Sequence, residues 1–163
     1  KDMDAYTKKS IATKAFITVT QDQELRLSYT GNQSDNVLYP SGKMDALYDN
    51  SDIYNVEYNI NNLSDIYKNI SLQYYKSNVD HPMSTDYRKS AVNSSVMINH
   101  LTTQMQGYKF KNTFNINYNK IIVGFDASRR NWDGHYLKDG KPLMGGRDSI
   151  DDSTTKNRAI FAK

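Results

Sequence analysis

Apolar and polar residues alternate with a period of two through most of this chain, and no segment carries the spacing of an amphipathic helix. In "ATKAFITVT", Ala15, Ile17 and Val19 share one face while Lys14, Phe16 and Thr18 share the other. "ELRLSYT" sets Leu25, Leu27 and Tyr29 against Glu24, Arg26, Ser28 and Thr30, and "DIYNVEYNI" sets Tyr54, Val56, Tyr58 and Ile60 against Asn55, Glu57 and Asn59. The same division recurs in "NISLQYY" (Ile70, Leu72, Tyr74), "YKFKNTFNI" (Tyr108, Phe110, Phe114, Ile116) and "KIIVGFDAS" (Ile121, Val123, Phe125, Ala127). Successive strand residues point to opposite faces. The pattern therefore predicts an all-β chain with strands at 12–20, 24–31, 52–60, 67–78, 97–117 and 120–130, and a last one near Arg158.

The connections between these segments alternate in length. Three are short, at 21–23, about 61–66 and 117–119, and three are long, at about 32–50, 79–95 and 131–156. Pro40, Pro82 and Pro142 fall one to each long connection, together with five of the eight glycines. An antiparallel up-and-down meander with tight turns at one end and long loops at the other is the layout of a large transmembrane β-barrel. Mid-strand Glu, Arg, Lys, Gln and Asn would face its lumen, and Tyr, Ile, Leu, Val and Phe would face lipid. A soluble antiparallel sheet with one wet face alternates in the same way. A soluble or surface β-sandwich that binds a partner through its loops, and a passive porin-type channel, therefore stay open as alternatives.

Composition narrows the chemistry. Only 37% of the 163 residues are hydrophobic, and the aromatic content rests on 13 Tyr against 5 Phe and 1 Trp, which leaves little for a soluble core. The net charge of +3 is spread without a like-charged run, so no nucleic-acid footprint is expected. With no cysteine, thiol catalysis, cysteine-held zinc and disulfides are excluded together. No apolar run approaches the roughly 18 residues of a membrane-spanning helix. The lack of an initiator Met and of a leader segment suggests an internal or mature piece of a longer protein. Asp80, His81 and Ser84 are the one Ser, His, Asp grouping, and no glycine-framed serine, phosphate loop, paired-histidine helix or calcium loop accompanies them. An enzyme is not expected, nor a resident cofactor.

The Asp80-His81-Pro82-Met83 cluster is where the fourth alternating stretch is expected to end, because proline removes a ladder donor. His81 and Met83 head one long loop, with Met44 in the loop before and Met144 in the loop after. Imidazole and thioether are natural copper ligands, the thioether favouring Cu(I), so these side chains are candidate metal ligands if the loops converge. His100 reads as a polar strand residue and His135 as a loop residue. In "RRNWDGHY", Trp132 and Tyr136 read as girdle or loop-packing aromatics. A ligand-stacking role for Trp132 is the alternative.

Three segments together carry a family likeness: "NVLYPSGKMDA" (36–46), "QYYKSNVDHPMSTDYR" (73–88) and "IIVGFDASRRNWDGHY" (121–136). In this order they resemble the barrel of TonB-dependent outer-membrane receptors, and the Val-Asp-His-x-Met segment is most similar to the copper-receptor branch. The resemblance implies a barrel of about 22 strands in the outer membrane of a Gram-negative cell, surrounded by outer-membrane lipid. It implies energy-coupled import of a metal ion or metal chelate, through a plug domain and the TonB complex. On that reading residues 1–163 are a partial barrel segment of about six or seven strands with no plug domain. His81, Met83, Met44 and Trp132 would be its ligand-contacting residues, with His81 and Met83 the metal donors.

Overall fold

Alternating residues pair into a single antiparallel sheet. The computed structural model describes residues 6–39, 42–86, 95–143 and 153–163. It contains β1 (Thr7–Thr20), β2 (Gln23–Val37), β3 (Asp45–Asn61), β4 (Tyr67–Ser84), β5 (Met97–Ile116), β6 (Asn119–Lys138), the two-residue β7 (Lys141–Pro142) and β8 (Ser153–Ala162). Strands β1 to β6 each pair with the next in sequence, and β7 and β8 both pair with β6. Asn117 and Asn62, in the turns after β5 and β3, sit at φ 55° and 51°, a left-handed conformation that asparagine tolerates better than most residues.

The meander, its short turns and the alternation of connection lengths match the sequence expectation. The long connections are shorter than expected, because the strands continue into them. β2 runs on to Val37, β3 starts at Asp45, β4 reaches Ser84 and β6 reaches Lys138. Pro82 and Pro142 are therefore strand residues, while Pro40 lies outside the described residues. Pro82 is held between two neighbours. It pairs with His100 on β5, and on the β3 side it falls where the register shifts between Ala46 and Asn50. There Leu47, Tyr48 and Asp49 oppose only His81 and Pro82, a bulge that leaves a ladder position without need of an N–H.

No second sheet covers either face among the described residues, and Ala46 and Pro82 are the buried apolar side chains among them. The accessible surface is 11416 Å². A compact monomer of 18.7 kDa would expose about 8,300 Å². The described residues therefore do not form a sandwich by themselves, since its two sheets would bury the faces that this sheet leaves open.

Register puts one kind of residue on each face. On the apolar face, Leu25 pairs with Tyr58, Leu27 with Val56 and Tyr29 with Tyr54. The band continues through Leu72 and Phe110, which are paired, to Phe125 and Ile160. Leu72 is 53% exposed and Ile160 87%. Toward the long connections the band ends in tyrosines: the rings of Tyr29 and Tyr54, and those of Tyr74 and Tyr108, lie 5.1 Å apart. Toward the short turns it ends at Tyr67 and Phe114, 5.0 Å apart. At the same levels the opposite face is polar and internally bonded. Arg26 contacts Glu24 and Glu57, Gln73 donates to Asn55 at 2.6 Å, and Asp126 accepts from Tyr75 at 3.0 Å and lies 3.2 Å from the Lys109 ammonium.

Candidate functional site

Beyond the tyrosine row, toward the long connections, the face that carried the apolar band turns polar, with Asp52, Asn78, Gln104 and Asn131 in one row. The opposite, polar face becomes mixed, with Val79, Leu101 and Trp132 on it. The strands here are ladder extensions, so side-chain direction follows from register. His81, with Leu101 as its β5 partner, and Met83, with Asn99 as its partner, are two residues apart and share the polar face. His81 Nδ1 lies 3.6 Å from Asp49 Oδ1, across the bulged β3–β4 pair. Met44 precedes β3, whose first residue, Asp45, pairs with Ser84, so it adjoins this corner along the chain without being part of the ladder. Met144 lies outside the described residues.

Trp132 pairs with Thr103 and projects on the same polar face, as does Tyr136, the partner of Asn99. Both stand opposite to the tyrosine row, so neither belongs to the aromatic girdle. They are strand residues rather than loop residues. The Arg130 guanidinium lies over the Trp132 ring at 5.5 Å, and it also donates to the Met105 sulfur at 3.4 Å. One strand, β5, separates Trp132 from His81. The sheet thus gathers His81 and Met83 at one corner, with Met44 next to it along the chain, and leaves Trp132 across β5.

A second cluster was missed by the sequence reading. On the face that carries the tyrosine row, but farther along the strands, His100 and His135 are direct cross-strand partners. Their rings are 5.1 Å apart and edge-to-face. His100 Nε2 is 2.6 Å from Asp80 Oδ1, and Tyr48 donates to Asp80 Oδ2 at 3.1 Å. Burial, followed by this bond to Asp80, pushes the Tyr48 phenol above its usual pKa. The signal that could have found this cluster is the register of β4, β5 and β6, which puts His100 level with His135 and diagonal to Asp80. The loop assignment of His135 hid it.

Among the described residues, no group of three or more His, Cys, Asp or Glu side chains is arranged to hold a metal ion. A metal at the His81 corner would need Met83 or Met44 as an additional donor beside His81 and Asp49. No family model and no curated protein matches the chain. Its fold is shared with the copper transporter OprC. The two superpose with a TM-score of 0.81 at 17% sequence identity, over 96% of this chain and 25% of OprC. This chain therefore spans about a quarter of the length of OprC. At that identity the likeness to OprC establishes the fold, an antiparallel meander that matches a β-barrel fragment.

Proposed function

We propose that this chain is part of the barrel wall of a TonB-dependent outer-membrane receptor that imports a metal ion or metal chelate. The observation that carries the reading is a single-layered sheet with an exposed apolar band on one face and bonded charges on the other. The band is bordered by aromatic rows at both ends. An isolated sheet of this kind exposes its apolar face at a cost of about 25 cal/mol for each Å², and a bilayer removes that cost. The likeness to a copper transporter supports transport of a metal. The length of the strands supports a receptor. β4, β5 and β6 have 18, 20 and 20 residues, whereas about 9–11 suffice to cross. The excess raises a walled vestibule in which His81, Met83 and Met44 meet an incoming ligand, with Trp132 on the same inner face.

In this reading the cargo metal is a substrate, bound transiently by imidazole and thioether, and energy for release comes from the TonB complex through a plug domain. The test uses the intact receptor in its own outer membrane. Metal accumulation that depends on TonB, and that falls several-fold in a His81→Ala, Met83→Ala double variant with normal barrel assembly, supports the proposal. Unchanged accumulation in that variant removes this corner from the site. TonB-independent flux removes the receptor reading in favour of a passive channel.

A further inference from the structure

The apolar face carries a row of cations at the level where it stops being apolar. Lys76 pairs with Gln106, Gln106 with Arg129, and Arg129 with Lys156, so one cross-strand row holds three cations over four strands. Arg158 stands one pleat nearer the band, opposite Ala127, in the row that contains Tyr74 and Tyr108. Arg129, Lys156 and Arg158 are exposed, and Lys76 is partly so.

No described acidic residue forms an ion pair with any of these four cations, whereas Arg26 and Lys109 on the opposite face are both ion-paired. Arg129 Nε donates to the neutral Asn131 amide oxygen at 2.8 Å. The one acid diagonal to Lys76 is Asp52, and its carboxylate accepts the Tyr29 hydroxyl at 2.6 Å. Arg129 and Lys156 stand directly opposite each other, a like-charged pairing that weakens a ladder unless an anion bridges it. A shallow depression of about 230 Å³ lies between Tyr108, Arg129, Lys156 and Arg158.

We propose that Lys76, Arg129, Lys156 and Arg158, with Gln106, bind the phosphate of an anionic membrane lipid whose acyl chains lie along the apolar band. The proposal rests on the membrane reading above. The charge is complementary, and the row continues the Tyr29–Tyr54 row through Lys76. It lies about 7 Å along the strands beyond Tyr74 and Tyr108, at the height where headgroups meet the aromatic belt. Lysine and arginine so placed attract anionic lipid, and the attraction weakens with salt. The depression takes a headgroup from the side, with the Tyr108 ring against the first carbons of its chains.

The test uses the intact receptor in detergent, with native mass spectrometry to count bound phosphatidic acid and phosphatidylcholine of the same acyl chains. Preferential retention of phosphatidic acid is expected. The K76Q/R129Q/K156Q/R158Q variant is expected to lose that preference by roughly tenfold or more. The charge-conserving K76R/R129K/K156R/R158K variant is expected to keep it. The double variant K76Q/R158Q, which leaves the opposed pair in place, is expected to lose part of it. Equal retention of the two lipids by the wild type overturns the proposal, as does an unchanged preference in the Gln variants. Displacement of phosphatidic acid by millimolar inorganic phosphate would assign the row to soluble anions and overturns it also. A receptor that does not fractionate with membranes fails the barrel reading itself, an outcome distinct from the others.

Discussion

Pro82 shows how a single residue can mislead when its neighbours are unknown. A proline inside a strand pattern normally marks an edge or an end, but here the β3 bulge lies beside it and β4 continues to Ser84. Gly107 is the reverse case, a plain strand glycine with a tertiary job. A Cβ there would meet the Tyr75 ring and hydroxyl at 2.5 Å and the Ala127 carbonyl at 2.7 Å. Gly107→Val is therefore expected to displace Tyr75 from Asp126 and to lower stability by about 1–3 kcal/mol, measured by urea unfolding in lipid. Tyr75→Phe, which keeps the ring and loses only the hydrogen bond, should cost less. Tyr48 supplies a pH test. Its phenol is raised in the folded state, first by burial and then by Asp80. Stability from this bond is present below the usual phenol range and is lost as pH rises through the raised value. Tyr48→Phe should remove one late-titrating tyrosine from an alkaline absorbance titration.

The strands differ from expectation mainly in their length. Segments expected as loops, such as "VDHPM" and "NWDGHY", are the upper rungs of β4 and β6, each held by β5. Their amides are expected to exchange slowly: residues 79–84 (except Pro82, which has no amide proton) and 132–137 should be protected nearly as well as 70–75, read by hydrogen exchange with mass spectrometry. Exchange as fast as a free loop would return His81 and Met83 to a mobile segment. This placement changes the character of the candidate site. Ligands on a ladder are held at fixed spacing, whereas loop ligands must first converge, an ordering cost of about 1–2 kcal/mol for each residue fixed.

For the whole molecule, the decisive test is which face meets lipid. Trp132 is the one tryptophan of the sequence, and it projects on the polar face beyond the tyrosine row. Brominated lipids are therefore expected to leave its fluorescence unquenched in the reconstituted receptor. A tryptophan placed by Leu72→Trp on a Trp132→Phe background should be quenched strongly. Leu72→Arg is expected to cost about 2–4 kcal/mol, as a cation at mid-membrane does, whereas Gln73→Arg on the polar face should cost little. Quenching of Trp132 with no quenching at position 72 would invert the sheet and remove the barrel reading.

The alternation of Leu25, Leu27 and Tyr29 with Glu24, Arg26 and Ser28 was enough to determine strands, faces and the meander. A period of two is a property of the backbone and needs no knowledge of partners. The alternation of short and long connections likewise determined which end is which. The sequence could not say where each strand stops, because beyond the tyrosine row the apolar band gives way to polar residues and the opposite face becomes mixed, so the earlier periodic signal is lost while the ladder hydrogen bonds continue. Nor could it align residues that lie far apart in the chain. Only the register of the sheet brought Asp80 against His100 and His135, turned Trp132 to the polar face, and collected Lys76, Arg129 and Lys156 into one row. Such alignments depend on how many residues lie between strands and where bulges fall, and local sequence pattern does not encode either.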